Sequence, residues 1–482
     1  MYIRHLHLHS TVLLNSAASL ISNNGDSSCS WNLRSLSLND DMGRIASGSE
    51  HAIDKLGVLE QVTDLIGANT NTSLTLTIGD TYLPRADADL DYPFFNAIRG
   101  LHNMAEFNCG YRFVFKLSDV PGFWPRLRTY MFYYGVLDLD GPVLGLRCLA
   151  IRNVVYLQNV VDILNNLPDL EHLEIEQIYN TRDAVHTRQT MDPSASPRAL
   201  KSLSIPWTKN TQEETFQILF SWLPNLTKLT MHDFEVLIDT RKPALARTCD
   251  LTRESHTLEF VLKSCSNLRV FDALGHRFML RWQMLTPWAC TKLETFRCQI
   301  LGVRRLTRSN EVAYRRAVDY QEKGRRLNAK KVKILQHHQA ILDDHALVNN
   351  QLARLPQLRV LEIGFDHRKR RSYGLRASRC EFLDYSKPLQ YMPEFSLDSG
   401  LGKLSVLKEL KVFEFEGVDY RIGTKELDWM TESWPKLRML RGLEKDTLPR
   451  IRFDEQKALL RNHLRRLRPE IQHESLGAFG LQ

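Results

Sequence analysis

No two of the eight cysteines stand in a C-x-x-C pair, and no spacing among Cys29, Cys109, Cys148, Cys249, Cys265, Cys290, Cys298 and Cys380 resembles a set of metal ligands. A chain of 482 residues is large enough to fold without disulfide staples. The thiols are therefore expected to be reduced, as in an intracellular protein. No apolar run approaches the ~18 residues of a membrane span, and Met1-Tyr2-Ile3-Arg4-His5-Leu6-His7-Leu8 lacks the unbroken apolar core of a signal peptide. Together these absences predict a cytoplasmic or nuclear location and no membrane partner. In that setting the sequons at Asn71 and Asn225 carry no meaning.

Catalytic motifs are missing as well. There is no G-x-S-x-G elbow, no phosphate-binding P-loop and no H-E-x-x-H zinc helix. Gly400-Leu401-Gly402 is half of a dinucleotide fingerprint, lacks the third glycine and reads as a capping turn. Asp87, Asp89 and Asp91 imitate the start of a calcium loop, but Tyr92 and Ile98 occupy the required Gly and Glu positions. His5, His7 and His9 alternate along one strand and read as solvated side chains rather than metal ligands. His337 and His338 are sequence neighbours and point in different directions on a helix. The expectation is no enzyme, no cofactor and no metal.

What the sequence does have is a recurring phrase: apolar, Pro, any residue, Leu, two residues, apolar, any residue, apolar. It appears as LPDLEHLEI (167–175), LPNLTKLTM (223–231), LPQLRVLEI (355–363) and WPRLRTYMF (124–132); WPKLRMLRG (434–442) fails only at its last position. CSNLRVFDA (265–273) and CTKLETFRC (290–298) put Cys for the leading apolar residue and omit the Pro. WNLRSLSL (31–38), LGLRCLAI (144–151), ALKSLSI (199–205) and VLKELKV (406–412) are looser copies. Five of the 18 prolines sit at the one phrase position, which makes the repeat specific. The closing L-x-L is a period-two strand pattern, so both apolar side chains face one side. Pro cannot continue a helix, so it ends the helix that precedes it. Helices are expected over 156–167, 211–223, 254–265 and 425–434. A strand and helix alternating every ~20–29 residues is the leucine-rich-repeat unit. The predicted fold is α/β: a leucine-rich-repeat solenoid, with a curved parallel sheet, outer helices and irregular repeats. Its anchor leucines are taken at positions 127, 146, 170, 200, 226, 268, 293, 358, 407 and 437. An ordinary α/β domain with Leu-rich strands is the alternative.

The expected segments are divergent N-terminal repeats (1–120), leucine-rich repeats (121–302), a basic helical insertion (303–354), and C-terminal repeats with a capping helix (355–482). Within the first, residues 50–68 read as a helix, 73–78 as a strand, 22–30 as a loop and 104–109 as a divergent repeat. The insertion contributes eleven Lys/Arg against three acids over 303–333, which equals the whole net charge of +8. Its first half is too polar to bury, so residues 303–350 are expected to project from the solenoid and to be dispensable for stability. A long loop starting with the basic run 367–371 is expected over 366–400. Leu459, Leu460, Leu464 and Leu467 mark an amphipathic helix that closes the array.

Residues 399–446, 290–307, 352–368 and 468–476 resemble the F-box/leucine-rich-repeat-like proteins of early-diverging fungi, and the resemblance covers most of 120–480. It implies a substrate-recognition subunit of a cullin-type ubiquitin ligase, coupled to the Skp adaptor through an F-box. The usual F-box opening, L-P-x-E-[IL], does not occur here, and the chain starts on a repeat-like strand. Skp and cullin coupling is therefore expected only if an F-box is supplied upstream, in a longer form of the chain. The alternative function is a nucleic-acid-associated scaffold using 303–333. Few aromatics stand there for stacking, only Tyr314 and Tyr320, so nucleic acid is the less favoured partner.

Residues between the apolar positions of a strand point away from the core. The predicted binding strip for a protein partner is therefore His172, Glu174, Glu176, Ser202, Ser204, Lys228, Thr230, His232, Asp272, Thr295, Arg297 and Gln299. It mixes both charges, which suits a protein surface better than a polyanion. The pair Glu174→Arg with Arg297→Glu is expected to spare folding.

Overall fold

A computed structural model describes the strands of residues 5–138 and then residues 146–179, 199–207, 213–233, 251–279, 286–304, 308–363, 393–415, 422–443 and 451–473. The helix expected over 50–68, the loop 22–30 and the basic run 367–371 lie outside the described residues. The chain divides into two compact units, Met1–Thr215 and Phe216–Gln482.

Unit 1 holds a parallel sheet in which spatial order follows chain order: β1 (His5–Leu8), β2 (Ser35–Leu38), β3 (Leu74–Ile78), β4 (Met104–Arg112), β6 (Thr129–Tyr134), β8 (Cys148–Tyr156), β9 (His172–Tyr179) and β10 (Ser202–Trp207). The short strands β5 (Phe115–Lys116) and β7 (Leu137–Asp138) pair separately. The phrase sets the register. Leu6, Leu36, Leu76, Phe107, Tyr130, Leu149, Leu173 and Leu203 align across successive strands. Helix α1 (Leu157–Asn166) buries Val160, Val161, Ile163 and Leu164 beside the buried Leu149, Ile151, Leu173 and Ile175. One strand per repeat, all parallel and in chain order, is the layout of a solenoid and not of a doubly wound domain, whose strand order reverses.

Unit 2 repeats the plan with β11 (Lys228–Asp233), β12 (Val270–Met279), β13 (Thr295–Leu301), β14 (Val360–Glu362), β15 (Val412–Glu414) and β16 (Met439–Arg441), again parallel and in order. Leu229, Phe271, Phe296, Leu361, Phe413 and Leu440 align and are fully buried. Helices α2 (Glu213–Ser221), α3 (Leu251–Ser264), α4 (Arg308–Glu322), α5 (Ala329–Ala353), α6 (Thr424–Ser433) and α7 (Ile451–Leu467) fall in the connections and at the end.

The Leu-Pro step is more than a helix stop. In seven copies the anchor Leu N–H donates to the carbonyl three residues earlier: Leu170 to Leu167, Leu226 to Leu223, Leu268 to Cys265, Leu293 to Cys290, Leu358 to Leu355, Leu410 to Leu407 and Leu437 to Trp434, at 3.0–3.1 Å. This is a β-turn, and in four of the seven, at Pro168, Pro224, Pro356 and Pro435, proline holds its second position, where the ring presets φ. It explains why Cys265 and Cys290 are fully buried: they fill the apolar first position of the turn. Burial pushes both thiols up to about 12.

The same hydrogen bond corrects one anchor. Leu407 opens the turn, and Leu410 is the anchor, because Phe413 aligns with Leu361. Leu404, Leu407 and Leu410 are spaced by three, so the phrase fits the sequence in two frames. The copy that fails at Gly442 has a structural reason. Gly442 sits at φ 120°, and a Cβ there would lie 2.5 Å from the Phe415 ring, which fills the space of the missing side chain.

The basic segment is only partly an appendage. Helices α4 and α5 pack on each other with the Tyr314 and His338 rings stacked at 3.5 Å, and residues 323–326 between them are exposed. The second half of α5 is core: Ile341, His345, Val348 and Leu352 are buried, and Arg304 Nε is held by Asp344 at 2.6 Å. This overturns the expectation that the whole of 303–350 is dispensable. The C-terminal cap also differs in detail. Leu460 and Leu464 are buried, but Leu459 and Leu467 are exposed, so the apolar stripe is narrower than the spacing suggests. After α7 the chain adds Gln472 to the sheet beside Met439, with two 2.8 Å backbone hydrogen bonds. A covered edge removes a template for aggregation.

Candidate functional site

Each repeat contributes three positions that stand between its apolar ones. Their neighbours on the next strand are fixed by backbone pairing, so they form rows. The first row precedes the strands. In unit 1 it is Arg147, Glu171 and Lys201; in unit 2 it is Thr227, Arg269, Glu294, Arg359, Lys411 and Arg438, each N–H donating to the previous member's carbonyl at 2.7–2.8 Å from Arg269 on. The second row is Cys148, His172 and Ser202 in unit 1, and Lys228, Val270, Thr295, Val360, Val412 and Met439 in unit 2. The third is Ala150, Glu174 and Ser204 in unit 1, and Thr230, Asp272, Arg297, Glu362, Glu414 and Arg441 in unit 2.

The predicted strip falls on the second and third rows with three exceptions. Glu176 is exposed but lies beyond both rows. The side chain of His232 lies outside the described residues. Gln299 is buried at 5% exposure, against the expectation of an open position. It stands where β12 has a register irregularity between Ala273 and Arg277, so more chain crowds that level of the sheet. The remaining predicted residues stay accessible: His172 and Lys228 are exposed, and Glu174, Ser202, Ser204, Thr230, Asp272, Thr295 and Arg297 are half-buried.

The third row of unit 2 is an ion ladder. Arg297 reaches back to Asp272 at 3.0 Å and forward to Glu362 at 3.0 Å. Arg441 reaches back to Glu414 at 2.9 Å and on to Glu362 at 3.9 Å. The Glu362, Glu414 and Arg441 residues are buried. Burial works against the charge of Arg297, but the carboxylates of Glu362 and Asp272 outweigh it and raise its pKa. The sequence reading missed Glu362, Glu414 and Arg441. Glu362 and Arg441 lie in copies of the phrase at the position of Arg297, so aligning those repeats would have found them; Glu414 takes that position only once Leu410 is the anchor. The ladder also corrects the expectation that Arg297 can be reversed freely. Three carboxylates depend on two guanidinium groups, and a glutamate at 297 would leave like charges packed together.

The first row behaves differently. In unit 1, Glu171 pairs with Lys201 at 3.0 Å and Arg147 at 4.0 Å, and the Lys201 hydrogen bond holds its carboxyl below the usual range. In unit 2, Glu294 pairs with Arg359 at 3.1 Å and Arg269 at 3.5 Å. Lys411 and Arg438 follow with no ion pair to any described residue. These pairs are solvent-exposed and contribute little to stability.

No group of three or more His, Cys, Asp or Glu side chains that suits a metal occurs among the described residues. None of their helices is long and apolar enough to cross a membrane. Gly400, the start of the half fingerprint, sits at φ 89° ahead of a 3-10 turn over Leu401–Val406.

No protein-family profile matches the chain, and no curated protein does. Among solved structures it is similar to the crystal structure of a TLR13–ssRNA13 complex, with a TM-score of 0.28 and 12% identity over 80% of this chain. The match covers 57% of that chain, so the present chain spans little more than half of its neighbour's length. At that score the likeness adds nothing to what the strand register already shows.

Proposed function

We propose that the chain is a non-catalytic solenoid that binds a protein through the open face of its sheet, and that it serves as the substrate-recognition subunit of a cullin-type ubiquitin ligase in the cytoplasm or nucleus. The observation that carries the binding reading is the layout of unit 2. On β14–β16 the buried ion-row residues Glu362, Glu414 and Arg441 lie beside the half-buried apolar Val360, Val412 and Met439 and the cationic Arg359, Lys411 and Arg438, all fixed in register. Apolar side chains rimmed by charge are what a protein contact uses. The ligase reading is supported by the resemblance of 399–446 and the other quoted segments to F-box/leucine-rich-repeat-like proteins. Affinity capture from native extract tests both. The expected outcome is recovery of Skp and cullin subunits together with a target that is lost when Lys411 and Arg438 are reversed. A target without Skp or cullin refutes the ligase role, and capture of neither refutes both.

A second reading, a nucleic-acid scaffold, has one observation in its favour. Residues 323–333 carry six Lys/Arg and no acid, and most are exposed. Several cations of the wider segment are already engaged, however. Arg315 and Lys323 pair with Glu311 and Asp319, and Lys331 and Arg325 lie over the Tyr320 ring. A steep loss of binding with salt would favour this reading.

A further inference from the structure

The two accessible rows on β14–β16 carry a chemical bias. In the first row, Arg359 and Arg438 are exposed and Lys411 is half-exposed, and the strands that bear them are neighbours. Arg359 pairs with Glu294, which it shares with Arg269, and the Glu409 carboxylate, hydrogen-bonded to Lys436, is near enough to feel the charges of Arg359 and Lys411. Directly beside them in the second row stand Val360, Val412 and Met439, all half-buried and apolar. Next to them along the same strands lies the ion row, whose two guanidinium groups are already taken up by its carboxylates.

We infer that this face takes an acidic, amphipathic protein segment, with its carboxylates on Arg359, Lys411 and Arg438 and its apolar side chains on Val360, Val412 and Met439. The inference rests on the protein-binding reading above and specifies the partner's chemistry. A cation row alone would suit any polyanion. The apolar row does not, because a phosphate backbone has no side chain to cover valine and methionine. No aromatic side chain stands in these rows on which a base would stack. The neighbouring ion row holds three carboxylates against two guanidinium groups, which disfavours a polyanion laid along this face. A protein segment meets both demands at once. Neighbouring strands lie about 4.8 Å apart, and a helix advances about 5.4 Å per turn. A helix laid across the strands therefore sets one turn over each strand, with acids and apolar residues recurring every three to four positions.

The test uses the full chain and a displayed library of 16-residue random segments. The expected result is enrichment of segments that combine Asp/Glu with Leu, Ile, Val or Phe at helical spacing. A synthetic peptide of the enriched pattern should bind about ten-fold or more weakly to Lys411→Glu/Arg438→Glu, while Arg315→Glu/Arg316→Glu on α4 binds as wild type. Both pairs alter exposed or half-exposed side chains, and the melting transition of each variant confirms that it folds. Enrichment of basic or uncharged segments overturns the acidic assignment. So does equal binding of an all-glutamate peptide or of single-stranded RNA, or unchanged binding to the Lys411/Arg438 variant. These failures are separable from failure of the broader reading, because capture of a target from extract does not depend on the target being acidic.

Discussion

The two units share one repeat phrase and differ in what they place between its apolar positions. Along the third row of unit 1 the register positions are held by His7, Ser37, Thr77, Asn108, Met131, Ala150, Glu174 and Ser204, a sequence with one formal charge. Along the same row of unit 2 they are held by Thr230, Asp272, Arg297, Glu362, Glu414 and Arg441, five charges in six strands. Core leucines fix the sheet in both units and leave the intervening residues free. Unit 2 uses that freedom to bury an ion network, where the same row of unit 1 carries the single charged residue Glu174. A buried network adds little net stability over an apolar row, because its Coulomb attraction is set against desolvation. What it adds is a fixed row beside the accessible ones.

The largest expected effect breaks that row. Arg297→Met leaves Glu362 buried without its nearest cation and should destabilise by about 3–5 kcal/mol, whereas Ser204→Ala at the same row of unit 1 should cost less than about 1 kcal/mol. Chemical denaturation of the two variants gives both numbers. Similar small losses would mean that the network is idle and the two faces are equivalent.

Next in size is Gly442→Ala. The added methyl meets the Phe415 ring, and the backbone stands at φ 120°, so a loss of about 1–3 kcal/mol is expected. Phe415→Leu in the same chain should recover part of it. No loss would show that the last repeat is not packed as described.

How much of this was legible follows from what each feature depends on. Strand positions and core leucines were readable, because L-x-x-L-x-L forces a local alternation that long connections do not disturb. Leu407 was misread as an anchor because leucines at 404, 407 and 410 satisfy the spacing in either frame; the turn hydrogen bond to Leu410 decides it. The ion ladder was readable only in part. Asp272 and Arg297 come from adjacent copies, but Arg297 and Glu362 are separated by the α4–α5 insertion, and Glu414 by a further long connection. Contacts between repeats become visible only when every copy is aligned. The core role of α5 was hidden by composition: its apolar residues start late, at Ile341, behind a strongly basic run.

A smaller effect separates the two parts of the insertion. Replacing 309–337 by a short Gly/Ser linker should change the melting transition by less than about 1 kcal/mol, since this part is mostly exposed. Extending the deletion through Leu352 removes Ile341 and Val348 from the core, and should cost several times more. Equal losses would place α4 in the core as well.

The smallest effect is a titration. Burial, with His337 next to it, lowers the pKa of His338. The folded state therefore binds its proton less readily than the unfolded chain, and the α4–α5 contact should weaken as pH falls from about 6.5 through the folded value, with no change above it. An NMR titration should give a His338 midpoint below 6.5. A midpoint above it would contradict the burial of the ring against Tyr314.

The central claim is that the open face of unit 2 is where the chain meets its partner. Amide hydrogen exchange of the full chain, with and without the protein it captures from extract, tests this most directly. The account predicts added protection over residues 359–363, 411–415 and 438–442 and none over 308–333. Protection confined to 308–333, with β14–β16 unchanged, would contradict it.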